Sequence, residues 1–359
     1  MVQESISNEE LERYSRQIAL EDIGFDGQFR LKKSRVCLVG VGGLGAPTAL
    51  KLTSMGVGFI RLVDRDVISK SDLHRQYLYD LLSIGKPKVE AAKKKLKRLN
   101  DLVEIDARAE PLAPYNVDEL IKDVDLVIDG LDSIEGRYIL NEACVRLGKP
   151  YLFSAAIEMF GNVSTLIPYK TPCLECFYSG LKDEGLERCA VVGVHPSVLS
   201  IISSIQVAEA ISILTGKEPK LTNKLLYIDL RNMTFETLSI NRNPNCRVCS
   251  EKAVSYKKEI PVVQGGCGRD GRGIFLFSPN KTISLNLRKI KNSLQEKNFH
   301  IVSKGSLGIT FDYNKDIRIS LLKSGASILQ STANSGIRNE EEALKTYRKI
   351  SNEIPLPKL

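Results

Sequence analysis

With 359 residues, 43% of them apolar and 26% charged, the chain has the size of two or three domains and an ordinary soluble composition. Eight cysteines in that length, after a start that lacks a basic-then-apolar leader, argue against a secreted disulfide scaffold and for an intracellular, cytoplasmic protein. The net charge of +8 is uneven: residues 251–359 hold 19 Lys and Arg against 10 Asp and Glu, so the positive field belongs to the tail and implies an acidic partner.

Ser7-Asn8-Glu9-Glu10 has the form of a helix start, with Ser7 and Glu10 spaced as a capping box, and the helix carries Arg13 and Arg16. Arg35–Val39 is a β-branched run leading into Gly40-Val41-Gly42-Gly43-Leu44-Gly45, and residues 46–55 continue as a helix. Phe59–Val63 is the next strand and ends at Asp64. Strand, glycine turn, helix and strand within about 30 residues form a βαβ unit. A Lys-rich helix over 85–99, a strand near Val103, a strand over 124–128, a helix over 134–147 and a strand over 151–155 extend the alternation. The pattern predicts an α/β fold, a Rossmann-like doubly wound sheet with helices on both faces.

Beyond Phe160 the character changes. Residues 161–167 and 224–229 read as strands of a β extension, and between them lies the most apolar stretch, 195–214. Gln206 and Glu209 interrupt it, so it reads as a buried core helix and no membrane span is expected. His195, before Pro196, reads as a helix-start residue. A linker over 250–261 divides a larger domain, 1–250, from a small basic α+β domain, 251–359. The latter shows strands near 274–277, 308–313 and 317–322 and helices near 287–297 and 339–351.

Gly40, Gly42 and Gly45 keep the G-x-G-x-x-G spacing, which serves a tight turn, phosphate approach to bare backbone, and close helix–strand contact. Asp64 sits where an acidic residue takes ribose hydroxyls. An NAD or FAD enzyme would show as much. Arg75 and Lys88 add cations able to converge on a β,γ-phosphate pair, although each alone reads equally as a surface ion pair. Asp132, at the end of another sheet strand, offers a carboxylate for Mg²⁺, with a helix N-cap as its plainer role. Cys173 and Cys176, with Cys246 and Cys249, form two Cys-x-x-Cys pairs, a ligand set for structural Zn²⁺ that would staple the β extension. Cys37 and Cys144 read as buried apolar residues. Cys267, in Gly265-Gly266-Cys267-Gly268, reads as a thiol exposed in a glycine-rich turn.

Arg13-Tyr14-Ser15-Arg16-Gln17-Ile18, the glycine loop, Leu73-His74-Arg75-Gln76, Gly85-Lys86-Pro87-Lys88-Val89 and Asn243-Pro244-Asn245-Cys246 together resemble the MoeB/ThiF family of ubiquitin-activating-enzyme-like adenylyltransferases. The resemblance covers residues 12–249. It implies that Gly43, Asp64, Arg75, Lys88 and Asp132 bind ATP and Mg²⁺, with Asp66, Ser71, Asp72 and Ser133 lining the same site. It implies a homodimer in which Arg16 reaches the neighbour's phosphates, and a thioester or persulfide role for Cys189. Asp72 and Ser133 stand where the family usually has asparagines; Asp72 either weakens ATP binding or adds a metal contact.

The resulting expectation is ATP-dependent adenylation of the Gly-Gly carboxylate of a small ubiquitin-like protein or sulfur carrier. A sulfurtransferase or a tRNA are further expected partners. A dinucleotide oxidoreductase with structural zinc, and a non-catalytic scaffold for ubiquitin-like proteins, are the alternatives.

Overall fold

Strands β1 (Arg35–Val39), β2 (Phe59–Val63), β3 (Glu104–Arg108), β4 (Leu126–Asp129) and β5 (Tyr151–Ile157) run parallel in the computed structural model. It describes residues 6–181, 183, 192–251, 262–267, 273–281 and 283–357. β1 and β4 are buried almost throughout, as their uninterrupted apolar sequences require of strands covered on both faces. Their order is β3-β2-β1-β4-β5, which reverses direction between β1 and β4 and opens a crevice there. Helices Gly45–Ser54, Lys88–Leu99 and Pro196–Leu214 cover one face, and Val117–Ile121 and Ile134–Leu147 the other. From β5 the sheet continues antiparallel through β6 (Phe160–Leu166), β7 (Lys224–Asp229) and β8 (Thr234–Ser239).

The first helix, Asn8–Ile18, carries the expected capping box: Glu10 N–H donates to Ser7 Oγ at 3.2 Å, and Ser7 N–H to Glu10 Oε2 at 2.7 Å. The Lys-rich helix begins at Lys88 rather than 85, because Gly85 is left-handed at φ +80° and Pro87 stays extended. Helix Pro196–Leu214 is long and apolar enough to cross a bilayer, yet its two polar interruptions are buried against the sheet. Gln206 Nε2 donates to Asp129 O (2.9 Å) and Ser154 Oγ (3.0 Å), and Glu209 accepts from Thr165 Oγ1 (2.6 Å) and Leu221 N–H (2.9 Å). Each satisfies groups at sheet ends that would otherwise be buried without partners.

The tail forms a second sheet of β9 (Val263–Cys267), β10 (Gly273–Phe277), β11 (His300–Lys304), β12 (Gly308–Asp312), β13 (Ile317–Leu322) and β14 (Ser327–Ser331). It is antiparallel in the order β11-β12-β13-β14-β10-β9. Helices Leu287–Glu296 and Glu340–Glu353 close one face, where Ile290, Leu294, Tyr347 and Ile350 meet Phe277, Phe311 and Leu329. The alternate residues Leu276, Leu322 and Ile328 project to the opposite face and join the core that contains Leu62, Val67 and Ile68. The tail is thus more closely joined than the expected linker implied: its second face shares a hydrophobic core with the first domain. Residues 252–261 of the expected linker lie outside the described residues.

Candidate nucleotide-binding and metal sites

The crevice between β1 and β4 is built by backbone that only glycine permits. Gly40 has φ +87°, and a Cβ there would lie 2.4 Å from Gly130 O; one at Gly45 would lie 1.8 Å from Gly40 O. A Cβ at Gly43 would press on Leu199 at 2.8 Å, whereas one at Gly42 would meet nothing closer than Gln76 Nε2 at 3.8 Å. Gly42 therefore faces open space beside the start of helix Gly45–Ser54, where Ala46 N–H donates to Gly42 O at 2.9 Å.

Asp64, at the end of β2, accepts Val41 N–H and Asp66 N–H, both at 2.7 Å. Burial pushes its carboxyl up to about 6, although Lys88 opposes the shift. Lys88 is 6% exposed, and its Nζ lies 2.9 Å from Asp66 Oδ2. Burial works against its charge, but Asp66, Asp72 and Asp64 outweigh that and hold the ammonium well above its ordinary value. Arg75 is also buried, so neither cation is a surface ion pair. Its Nη1 donates to Ser71 O and its Nη2 to Asp72 Oδ1, the latter at 3.4 Å. Ser71 Oγ pairs with Ser69 Oγ at 2.8 Å. Asp72 spends its second oxygen on Ser69 N–H (2.9 Å) and Ser69 Oγ (3.0 Å), and Gln76 Nε2 donates to the first at 2.9 Å. Its charge is consumed in closing the turn that carries Arg75.

Asp132 is exposed and makes no hydrogen bond or salt bridge among the described residues. The plainer role considered for it, helix N-cap, belongs instead to Ser133, whose Oγ accepts Gly136 N–H at 3.3 Å. Asp183 takes the next N–H groups, Ile134 at 2.8 Å and Glu135 at 3.0 Å. Arg16 is exposed in the last turn of the first helix and pairs with no described residue. His195 caps helix Pro196–Leu214 through Nδ1, as its position implied. Cys189 lies outside the described residues. Cys267 does not sit in a turn: it ends β9, opposite Gly273.

Two features escaped the sequence. Tyr79 OH donates to Val41 O at 2.7 Å and pins the glycine loop from below. Asp129, wholly buried, accepts Leu131 N–H (2.8 Å), Tyr151 OH (2.7 Å) and Arg137 Nε (3.1 Å), which fixes the turn that presents Asp132. Burial raises the Asp129 carboxyl while Arg137 opposes it. The available signal was an arginine on the mostly apolar buried face of helix Ile134–Leu147.

The four cysteines of the two knuckles meet, with Sγ atoms all within 4.8 Å of one another. Cys173 and Cys246 are 3.6 Å apart, Cys176 and Cys249 3.5 Å, Cys173 and Cys176 4.0 Å. The thiol contact between them lowers Cys176 and raises Cys173, so the pair shares its protons unequally. Asn243 N–H and Val248 N–H point at Cys176 and Cys246 sulfur, and Arg247 crosses between the knuckles to Glu175 at 2.8 Å. The cluster could hold a metal ion. Cys37 and Cys144 are buried elsewhere; burial pushes Cys37 up to about 12 and Cys144 well above its ordinary value, so both are unreactive.

Residues 14–248 match the ThiF family. The chain belongs to the ThiF family. It is 37% identical over 268 residues to the sulfur carrier protein adenylyltransferase of Thermus thermophilus, covering 73% of this chain and 98% of that relative. It is 36% identical over 261 residues to the SAMP-activating enzyme E1 of Haloferax volcanii, covering 72% and 96%. The structure of E. coli MccB with ATP shares the fold, with a TM-score of 0.59 at 24% identity over 66% of this chain and 74% of that one. This ThiF-family chain is an adenylyltransferase that uses ATP. The oxidoreductase reading of the glycine loop falls with that assignment.

The second and third glycines of the G-x-G-x-x-G spacing, Gly42 and Gly45, have separable duties. Gly45→Ala drives a Cβ into a carbonyl and should cost more than about 2 kcal/mol of stability in denaturant titration. Gly42→Ala should fold like the parent and weaken ATP binding only, because its Cβ enters the crevice. Equal stability of the two variants would contradict this.

Proposed function

We propose that the enzyme adenylates the C-terminal Gly-Gly carboxylate of a small ubiquitin-like protein, of the sulfur-carrier type that its relatives' names describe. The observation that carries the reading is the pair of buried, charged side chains Lys88 and Arg75 beneath a glycine loop, across the crevice from the exposed Asp132. The carboxylate oxygen attacks the α-phosphorus; a C–O–P anhydride forms and the bond to pyrophosphate breaks. Both charge and atoms balance without proton transfer, so catalysis rests on positioning and charge neutralisation. Lys88 and Arg75 neutralise the departing pyrophosphate, Asp64 holds the ribose, and Asp132 would hold Mg²⁺, which supplies further positive charge to the triphosphate. The Cys189 thiolate, or a sulfur nucleophile delivered by a separate sulfurtransferase, then attacks the acyl carbon; a C–S bond forms, the C–O bond to the phosphate breaks and AMP leaves.

Carrier-dependent ATP–pyrophosphate exchange tests the reading. Asp132→Ala should lower exchange about 10²- to 10³-fold with the fold intact, since the side chain has no described structural partner. Near-normal exchange would remove the metal assignment.

An exposed, unpaired Arg16 supports action in trans within a homodimer. Mixing Arg16→Ala with Lys88→Ala subunits should then restore about one working site per mixed dimer. If exchanged subunits recover nothing, Arg16 does not act across an interface.

The thiol cluster supports zinc as the metal. Zinc–sulfur bonds of about 2.3 Å place tetrahedral sulfurs about 3.8 Å apart, and the contacting sulfurs here lie 3.5–4.0 Å apart. The purified protein should carry about one zinc per chain, and Cys246→Ser should lose it together with thermal stability. Metal-free protein with an unchanged melting temperature would overturn the assignment.

A further inference from the structure

Lys88 is flanked in sequence by residues that the C-terminal unit holds. Glu90, in the first turn of the same helix, accepts three hydrogen bonds from the turn between β11 and β12: Ser306 N–H (2.7 Å) and Ser306 Oγ (3.0 Å) on Oε1, and Leu307 N–H (3.1 Å) on Oε2. The turn is shaped to that carboxylate, since a Cβ at Gly305 would lie 2.2 Å from Glu90 Oε2. On the other side of Lys88, Thr310 Oγ1 of β12 donates to Gly85 O at 2.7 Å, in the left-handed residue that starts the loop. Between them Pro87 packs so closely on Gly308 that a Cβ there would sit 2.7 Å from its Cγ. A third grip falls beside the other half of the site: Arg65, between Asp64 and Asp66, donates to Gln264 Oε1 of β9 at 2.8 Å.

We infer that the C-terminal unit is part of the nucleotide site, and that Glu90 and Thr310 are positioning residues that set Lys88 for the triphosphate. Residues two apart on a helix point to different sides, so Glu90 faces the C-terminal turn while Lys88 faces Asp66. The carboxylate acts only through the backbone it anchors. Its charge also suits the helix start, where anions are favoured. A cation that must meet a phosphate in one geometry gains from an anchor on each side, because misplacement by about 1 Å at such a contact is costly.

The inference rests on Lys88 binding the β- and γ-phosphates, and the experiment separates the two claims. ATP and AMP affinities are measured by calorimetry on the full chain carrying Glu90→Ala, Thr310→Val or Lys88→Ala. Glu90→Ala and Thr310→Val should each weaken ATP roughly 3- to 30-fold, a usual range for coupling through a packed network. AMP binding should stay within about twofold, since it lacks the phosphates Lys88 contacts, and Glu90→Gln should recover part of the ATP affinity. In a Lys88→Ala background, Glu90→Ala should add nothing further, as expected when one residue acts through the other. Loss of ATP and AMP affinity alike in the Glu90 and Thr310 variants would mark general loosening and overturn the inference. So would unchanged ATP affinity in both while Lys88→Ala is impaired. ATP binding undisturbed by Lys88→Ala itself would remove the phosphate assignment and the inference together.

Discussion

The structure turns on keeping Lys88 charged while buried. An ammonium that is 6% exposed loses most of its hydration, and it stays ionised only because Asp66, Asp72 and Asp64 surround it. The geometry of that cluster dictates its surroundings. Asp64 must be held by the Val41 and Asp66 N–H groups, Asp72 must close the turn of Arg75, and the glycine loop must pass within reach of both. The partner at 2.9 Å, Asp66, has half of its side chain exposed, against 7% for Lys88. The ion pair is therefore open to solvent on the carboxylate side and closed on the lysine side.

The sheet topology places the parts of this cluster. Because strand order reverses between β1 and β4, the loops after them diverge, yet Gly40 and Gly130 stay in backbone contact at their roots. That contact demands a strand-end turn of fixed shape, supplied by Asp129 with Arg137 and Tyr151, and by Gln206 from the core helix. The buried polar side chains at this turn thus sit where strands stop and backbone groups would otherwise go unsatisfied. The cysteine knuckles do comparable work at the far end, joining the turn before helix Leu174–Phe177 to the segment after β8.

Much of this was legible in the residues. The parallel strands, the glycine loop, the capping box at Ser7, the core helix and the four-cysteine cluster all follow from spacing and periodicity. The edge strand β8, with every residue exposed, was invisible because Thr234–Ser239 carries no apolar alternation. β11 and β14 were hidden for a related reason: short, mixed sequences whose pairing is set by tertiary context. Glu90 could not be found, since a glutamate in the first turn of a Lys-rich helix reads as a solvated charge. The docking of the tail did leave a trace. Ile-Phe-Leu-Phe in β10 and Leu321-Leu322 at the end of β13 are apolar on successive residues, the mark of strands covered on both faces.

That docking changes what the positive charge of the tail can do. A tethered basic module would carry its field wherever the linker allowed, but this one is fixed by a shared core. Lys291 and Lys304 of the C-terminal unit meet Lys86 of the loop before Lys88, around a cavity of about 300 Å³ that also includes Leu82 and Ile84. None of these three ammonium groups has an acidic partner among the described residues. Their combined positive potential reaches about 10 Å at 0.1 M salt. The same contacts that anchor the start of the Lys88 helix therefore also fix where the positive charge of the tail lies relative to it.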